Sequence, residues 1–557
     1  MAEFKSGPIS LSFGARPRDP ELDRAQLRAI QQTLQAGDLA AAAGMAEAAL
    51  AQGLEHPMLF NLAADRLERE GRVEEALALL ERGNELAPQD VGLNQALGLN
   101  LHRLERYALA LPRFDAVIAA QPAFAPAHAA RGAVLEALGQ ITGAQAAYER
   151  ALELQPQNLA ALSGLASLAS RRGRHAEASS LAERVLQGEP DYPDAVMVVS
   201  QADLAERRFV EGEARLRRLI ADPRPTPVQQ ALAQGLLGDI LDGQDRAPDA
   251  FAAYSACNQA LRAAYAPRFG TGQSALDHAR ETIAVIDGLP ASAWSSGPQA
   301  RSGAARGHVF LVGFPRSGTT LLEQVLASHP DIEALEERDT LADAVQAYGR
   351  RPRDLTELAV APQAEITRLR AAYWQRVARE GANPADKVFV DKLPLNTFRL
   401  PMIAKLFPEA KVLFARRDPR DVVLSCFRRR FAMNGPMYQL LTLPSAAEFY
   451  DAAMQIGERL AGGQALPTLV VRHERLIEDF DAVAREACAF LDLPFTEAMR
   501  GFAQRIQDRG IATPSGAQVS RGLTAEGVGA WRRYAGPMAG VLPTLQPWVE
   551  RFGYPAD

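Results

Sequence analysis

The segment Gly313-Phe-Pro-Arg-Ser-Gly-Thr-Thr320 combines two glycines, one cation and three hydroxyl side chains at the end of a short apolar run. The run, 308–314, is typical of a strand, and the residues after the segment have the apolar spacing of a helix. A strand, a glycine turn and a helix N-terminus present backbone N–H groups to an anion. The segment therefore predicts a phosphate-binding loop.

The loop differs at one position from the nucleoside-triphosphatase pattern G-x-x-x-x-G-K-[ST]. Gly313 and Gly318 have the separation that this pattern requires, but Thr319 stands where its lysine reaches the β- and γ-phosphates. The cation of the loop is Arg316, two residues before the second glycine. This substitution disfavours a kinase or an ATPase.

A second stretch, 411–430, predicts a strand leading into a helix. With the loop, it resembles sulfotransferases that use 3′-phosphoadenosine-5′-phosphosulfate (PAPS), most closely the tyrosylprotein sulfotransferases and their bacterial relatives with tetratricopeptide (TPR) repeats. The resemblance implies that Arg417 and Ser425 hold the 3′-phosphate, and Arg429, one helical turn after Ser425, can join them. The loop residues implied to bind the nucleotide are Arg316, Ser317, Gly318, Thr319 and Thr320. Arg428 and Arg430 belong either to this site or to a solvated basic face.

The same resemblance supplies two further catalytic candidates. After the His329-Pro pair, the second of two adjacent glutamates, Glu337, corresponds to the base that takes the proton of the attacking hydroxyl group. The stretch 388–396 resembles the strand of the family that ends in Asn/Asp-Lys-x-Pro, which makes Lys392 the catalytic lysine. Arg316 and Lys392 then stabilise charge on the bridging oxygen and the sulfuryl group, and no metal is expected. The alternative is that Glu336 and Glu337 only decorate a helix.

Two features depart from the family pattern or match it weakly. His473 stands where the family has a tyrosine that touches the nucleotide, so it either replaces that contact or is an ordinary hydrogen-bonded histidine. The stretch 518–522, which precedes Trp531, resembles the loop that folds over the nucleotide. It makes Ser520 and Arg521 candidates for nucleotide binding.

These residues require an element that brings them together. Strands near residues 309, 388, 412 and 468 are each followed by a turn and a helix, which predicts a parallel sheet with helices on both faces, a P-loop-like α/β domain. Ligands of such sheets bind at the carboxyl ends of the strands, and each candidate falls at or just after such an end.

The N-terminal half has an internal period of 34 residues. Turn positions and the small residues five places later both recur at this interval, which resembles TPR repeats in about seven units. The turn positions are Gly37, Gly71, Glu105, Gly139, Gly173 and Arg207. Each unit buries its apolar face only against its neighbours, so the array predicts an α-superhelix with a concave groove.

We accordingly divide the chain into an N-terminal extension (1–24), a TPR array (25–265), a linker (266–305) and a PAPS-dependent sulfotransferase domain (306–557). The linker assignment depends on Gly288-Leu-Pro and on the small, polar and glycine-rich composition of residues 295–307.

Composition limits the class of protein. The net charge of −6 argues against a general nucleic-acid binder. Three widely spaced cysteines suit reduced thiols rather than disulfides or a zinc site, and neither a secretory signal nor a membrane-length apolar run is evident, so we expect a cytoplasmic protein that does not bind membranes.

The leading hypothesis is sulfuryl transfer from PAPS to a hydroxyl acceptor, with tyrosine of a protein or peptide recruited by the TPR groove as the first expectation. Residues 1–305 carry 37 acidic against 29 basic residues, so the groove could instead recruit basic segments, a partner protein or a second copy of the chain. A glycan or small-molecule acceptor is the alternative within the same class. A TPR scaffold with an inactive nucleotide-binding domain, or a nucleotide kinase, are the alternatives outside it.

Overall fold

The computed structural model of the chain describes residues 20–294, 305–461, 465–509 and 522–556. The chain divides into two compact units, Met1–Leu165 and Ala166–Asp557. The candidates Ser520 and Arg521 lie outside the described residues, so their role stays a prediction.

The first unit is built from consecutive helices that pack against one another. They are α1 (Pro20–Gln35), α2 (Leu39–Ala51), α3 (Pro57–Arg69), α4 (Val73–Leu86), α5 (Val91–Arg103), α6 (Tyr107–Ala120), α7 (Ala125–Ala137) and α8 (Ile141–Leu154). The division between the units falls within α9 (Leu159–Arg171).

The turn positions of the 34-residue period share one backbone conformation. Gly37, Gly71 and Gly139 have φ values of 83°, 78° and 73°, and Glu105 adopts φ 57° at the equivalent place. This left-handed conformation ends one helix and reverses the chain toward the next, and glycine adopts it without steric cost. The small residues five places later are buried between the helices; Ala42, for example, is fully inaccessible. The predicted TPR superhelix class is confirmed.

The second unit begins with helices that continue the repeat pattern. They are α10 (His175–Gly188), α11 (Pro193–Ala205), α12 (Phe209–Ala221), α13 (Pro227–Gly243), α14 (Ala247–Phe269) and α15 (Ala275–Gly288). The last lies inside the interval 266–305, which the sequence analysis assigns to a linker. A capping box of Ser274 and Asp277 begins α15, and Asp287 near its end pairs with Arg459. The limits of the four segments stay a prediction.

A five-stranded parallel sheet forms the centre of the C-terminal domain. Its strands are β1 (Gly307–Gly313), β2 (Ile332–Glu336), β3 (Val388–Lys392), β4 (Lys411–Arg416) and β5 (Thr468–Arg472), in the order β2-β3-β1-β4-β5. All four pairings are parallel, so the carboxyl ends of all five strands lie along one edge. Strand β2 is additional to the four predicted strands.

Apolar side chains on alternating strand positions fill two separate cores, one on each face of the sheet. Phe310 and Phe389 belong to one core, whereas Leu311 and Val390 belong to the other. Successive side chains of a strand point to opposite faces, so both faces of the sheet must be covered. The predicted fold class, an α/β domain with a parallel sheet flanked by helices after a TPR superhelix, is confirmed.

The remaining helices connect or follow the strands. They are α16 (Thr319–Ala327), α17 (Ala342–Tyr348), α18 (Asp354–Ala359), α19 (Gln363–Arg379), α20 (Leu400–Leu406), α21 (Pro419–Arg428), α22 (Gly435–Tyr438), α23 (Leu443–Leu460), α24 (His473–Glu478), α25 (Phe480–Phe490), α26 (Phe502–Arg509), α27 (Ala535–Met538) and α28 (Leu542–Arg551). Across the described ranges, no helix combines the length and the apolar character needed to cross a membrane.

Candidate active site

The predicted phosphate-binding loop begins where β1 meets its neighbour β4 at the carboxyl edge. Gly313 has φ 155°, and a Cβ atom there would lie 2.7 Å from the carbonyl oxygen of Ala415. Its backbone N–H donates to Thr397 Oγ1 over 3.0 Å, and that hydroxyl group donates to the Gly313 carbonyl oxygen over 2.6 Å. A glycine is therefore required by the close approach of the two strands.

Ser317 stabilises the turn of the loop. Its hydroxyl group donates to the Phe314 carbonyl oxygen over 2.6 Å, and its backbone N–H also donates to that oxygen, over 3.1 Å. Thr319 and Thr320 are buried at the start of α16, as the strand-turn-helix prediction requires. Gly318 precedes them with φ 96°. The loop therefore presents the N-terminus of α16 at the carboxyl edge of the sheet.

Arg316 connects the loop to the second motif. It has φ 70°, its Nε–H donates to Ser425 Oγ over 3.0 Å, and its carbonyl oxygen accepts from Arg417 Nη1 over 3.4 Å. Burial, and then the charges of Arg429 and Arg417, lower the pKa of Arg316 to about 9. Arg316 thus forms one cationic cluster with Arg417 and Arg429, which lie more than 100 positions later in the chain.

Arg417 also organises the C-terminal segment. Its Nη2 donates to the carbonyl oxygen of Gly527, and it lies 4.0 Å from the carboxylate of Asp421. The same carboxylate accepts the backbone N–H groups of Gly529 and Trp531 over 2.7 and 2.9 Å. The segment before Trp531 is therefore attached to the start of α21, next to the arginine cluster.

His473 lies against the loop. A Cβ atom at Gly318 would lie 2.6 Å from its Nδ1, so the imidazole ring and the turn are in direct contact. Burial, and then the charges of Arg417 and Arg316, lower the pKa of His473 to about 3. Its Nδ1 has no hydrogen-bond partner among the described residues, so a neutral imidazole is held beside the loop with one nitrogen unused.

The other two catalytic candidates form an ion pair. Lys392, at the end of β3, has no solvent exposure, and its Nζ lies 2.7 Å from Glu337 Oε1. Glu337 directly follows β2, with φ 46°, and its backbone N–H donates to the Lys392 carbonyl oxygen over 2.8 Å. The side chain of Glu337 remains 36% exposed, so it can meet an acceptor while it contacts the buried ammonium group.

Glu323 is a site residue that the sequence analysis missed. It lies on α16, its side chain is 2% exposed, and its Oε2 lies 3.1 Å from Lys392 Nζ. Burial raises the pKa of Glu323 to about 7, although the Lys392 charge opposes this rise. The signal in the sequence was one acidic residue among the apolar positions of this helix.

A buried hydrogen-bond network joins the residue before Lys392 to the segment after Glu337. The carboxylate of Asp391 accepts hydrogen bonds from Thr340 Oγ1 over 2.6 Å and from the hydroxyl group of Tyr373 over 2.8 Å. The hydroxyl oxygen of Tyr373 in turn lies 2.8 Å from His308 Nε2. Burial raises the pKa of Asp391 to about 6 and lowers that of His308 to about 3. The network fixes the segment that follows Glu337.

Both halves of the chain are similar to known proteins. Residues 308–497 match the sulfotransferase family, and residues 28–91, 125–158 and 169–235 match tetratricopeptide repeats. An uncharacterized protein of Aquifex aeolicus is 29% identical over 45% of this chain and 34% of its own length. Protein-tyrosine sulfotransferase 1 of Danio rerio is 25% identical over 44% of this chain and 72% of its own length.

Among solved structures, the sulfotransferase domain of the Synechococcus PCC 7002 olefin synthase is 21% identical and has a TM-score of 0.34, with 47% of this chain and 100% of that chain covered. The chain spans about a third of the Aquifex relative that it matches. The family match contains the loop, both catalytic candidates and the second motif. The chain therefore carries a domain of the sulfotransferase family at residues 308–497, preceded by tetratricopeptide repeats.

Proposed function

We propose that the protein transfers the sulfuryl group of PAPS to a hydroxyl acceptor. The observation that carries this proposal is the pair of Glu337 and Lys392, in which a partly exposed carboxylate contacts a fully buried ammonium group at the carboxyl edge of the sheet. A proton acceptor and a fixed cation side by side are the two groups that attack by a hydroxyl group on sulfur requires.

Two members of the arginine cluster, Arg417 and Arg429, fit a dianionic 3′-phosphate, and the third, Arg316, fits the 5′-phosphosulfate. The charges of Arg417 and Arg429 both lower the pKa of Arg316, so the three guanidinium groups repel one another. A 3′-phosphate beside Arg417 and Arg429 relieves this repulsion and accepts charge-assisted hydrogen bonds, with Ser425 as a further donor. The helix N-terminus that follows Gly318 fits the 5′-phosphosulfate in the same way.

The reaction that follows from this arrangement is a direct displacement at sulfur. A bond forms between the acceptor oxygen and sulfur, and the bond between sulfur and the bridging oxygen breaks. The proton of the acceptor passes to the Glu337 carboxylate. The bridging oxygen leaves with the negative charge of 3′-phosphoadenosine 5′-phosphate (PAP), next to the cations Arg316 and Lys392, which stabilise that charge without covalent participation.

For the acceptor, we propose tyrosine of a protein or peptide recruited through the repeats. Support comes from the relatives that are themselves protein-tyrosine sulfotransferases, including one of Drosophila melanogaster that is 24% identical over 44% of this chain and 51% of its own length. TPR repeats form concave surfaces that suit extended peptides.

The test is transfer of labelled sulfate from PAPS, by the purified full chain, to a panel of tyrosine peptides, glycans and phenols. We expect labelled peptide and release of PAP. Label on a glycan or a small phenol alone would contradict the tyrosine proposal but retain the transferase. Binding of PAP without any labelled acceptor would favour an inactive nucleotide-binding scaffold, and tighter binding of ATP with magnesium than of PAPS would contradict the proposal as a whole.

A further inference from the structure

Three consecutive arginines, Arg428 to Arg430, follow the helix that carries Ser425. The first and third form ion pairs with one helix of the repeat region: Arg428 with Asp242, and Arg430 with Asp239, both on α13. The two arginine side chains are only 22% and 18% exposed. Both therefore belong to a partly buried contact, and a solvated basic face, one of the two readings left open above, is wrong.

Further contacts attach the same segment to α13 and α14. The side-chain amide of Asn258 donates to the Phe427 carbonyl oxygen over 2.8 Å, and the rings of Phe251 and Phe427 stack 5.4 Å apart. A Cβ atom at Gly235 would lie 2.5 Å from Arg430 Cδ, so the glycine makes room for that side chain. The contact thus joins backbone, aromatic and charged groups over one short stretch.

These contacts hold the backbone on both sides of Arg429. Arg429 directly follows the last residue of α21, and its backbone is extended, with φ −94° and ψ 136°. Arg428 and Arg430 both contact α13, and Arg429 lies between them, close enough to α13 for the charge of Asp239 to act on it. There its charge lowers the pKa of Arg316, the loop arginine that bonds Ser425.

We infer that α13 and α14 are part of the nucleotide site, and that Asp239 and Asp242 are positioning residues that aim Arg429 at the 3′-phosphate. This inference rests on the proposed function, because it presumes a nucleotide with a phosphate at that position. The repeat region in this reading shapes the co-substrate site as well as recruiting an acceptor. Without the two aspartates, both flanking arginines lose an ion-pair partner, so the arginine segment is held less firmly.

The direction of the change in phosphate affinity distinguishes a loss of Arg429 positioning from the mere removal of a negative charge. Removal of one carboxylate near a cationic cluster, by electrostatics alone, strengthens the binding of a phosphate. Loss of the Arg429 conformation weakens it. We therefore expect Asp239→Asn and Asp242→Asn each to weaken PAP binding about tenfold while binding of AMP, which lacks the 3′-phosphate, changes by less than about twofold.

The experiment is calorimetric titration of the full chain with PAP and with AMP. Its readout is the dissociation constant for AMP divided by the dissociation constant for PAP. Asp249→Asn is the matched control, because Asp249 lies on α14 in an exposed ion pair with Arg246. Gly235→Ala is the second variant, since it displaces Arg430 without a change of charge. It should lower the same ratio even where an aspartate variant proves unstable.

A parent protein that does not distinguish PAP from AMP would overturn the proposed co-substrate and this inference together. A parent that prefers PAP, with variants that keep or increase that preference, would overturn the inference alone and leave the proposed function in place. Equal weakening of both nucleotides would also overturn it, because a loss of general structure has no preference for the 3′-phosphate.

Discussion

Lys392 contacts three carboxylates of very different exposure. Glu323 is 2% exposed, Glu336 25% and Glu337 36%, at distances of 3.1, 3.7 and 2.7 Å from the ammonium nitrogen. Burial opposes the charge of Lys392, but Glu323 and Glu337 hold its pKa above the ordinary value. The lysine is therefore a permanent cation, and the most exposed carboxylate is the one placed to exchange a proton with an acceptor.

Substitution of Glu337 should separate chemistry from binding. Glu337→Gln should lower kcat by roughly 10²- to 10⁴-fold, the ordinary contribution of a positioned base, and leave the Kd for PAP within about twofold. Arg417→Ala should instead raise the Kd for PAP, because it removes a cation of the proposed phosphate site. Labelled transfer measures the first quantity and calorimetry the second. Undiminished transfer by Glu337→Gln would exclude the base role.

Glu323 should make stability depend on pH. Its pKa of about 7 in the folded protein lies above the ordinary value of 4.5, so the folded state binds more protons than the unfolded state between these values. The free energy of unfolding therefore contains a contribution that is lost as pH rises through this window. Glu323→Gln stays neutral and should lack that loss.

Urea unfolding of parent and variant at pH 5, 6, 7 and 8 checks this expectation. The stability of Glu323→Gln relative to the parent should rise from pH 5 to pH 8. Asp391 titrates in both proteins, so its contribution cancels in the difference. Parallel stability curves would show that Glu323 keeps an ordinary pKa.

At the scale of elements, the turn between β1 and α16 depends on the absence of a side chain at one position. Gly318 combines φ 96° with a Cβ position 2.6 Å from His473 Nδ1. Gly318→Ala should therefore weaken PAP binding by at least about tenfold, because both the backbone and the histidine must move. Calorimetric titration measures the change.

Two controls separate backbone strain from contact. Gly381 has a similar φ of 85° with no atom within 4 Å of its Cβ position, so Gly381→Ala adds strain alone and should leave PAP affinity unchanged. His473→Ala combined with Gly318→Ala removes the collision and should recover part of the affinity. No recovery in the double variant would mean that strain, rather than the imidazole ring, causes the loss.

The elements that local patterns encode were predictable, and those that depend on distant residues were not. The period of 34 residues and the apolar strands near 309, 388, 412 and 468 can be recognised within short windows. Strand β2 was missed because its five residues, Ile332–Glu336, include two glutamates and only one β-branched residue, unlike β3 and β5. The segment that forms α15 was assigned to the linker because the sequence on both sides of it is rich in glycine.

The candidate site follows the same rule. Arg316, Arg417 and Lys392 were identified from motifs, and the structure brings Lys392 together with Glu337, and Arg316 with Arg417 and Ser425. Glu323 was missed because one acidic residue among the apolar positions of a helix is only a weak sign of burial. The pair of Asp239 and Arg430 joins residues 191 positions apart, so no local pattern could indicate it.

At the scale of the molecule, the second unit extends from Ala166 and therefore includes repeat helices as well as the sheet. A fragment that begins at residue 306 lacks α13 to α15 and exposes Phe427, which is 5% exposed in the full chain. We expect that fragment to have a lower Tm than one that begins at Leu159, the first residue of α9, and to bind a dye for exposed apolar surface. Thermal unfolding of both fragments measures this, and equal Tm values would show that the sheet domain is independent of the repeats.

The ion pair of Asp239 and Arg430 has a consequence for synthesis of the chain. Helix α13 leaves the ribosome 191 residues before its partner arginine, which at about 5–20 residues per second is roughly 10–40 s. During that time the carboxylates of Asp239 and Asp242 on α13, and the Phe251 ring on α14, are exposed to solvent, because their partners have not yet been synthesised. Among the described residues, the helices of the first unit contact chiefly their neighbours along the chain, so this unit can fold in the meantime. The nascent chain thus passes through a state in which folded repeats end in a surface that is still uncovered.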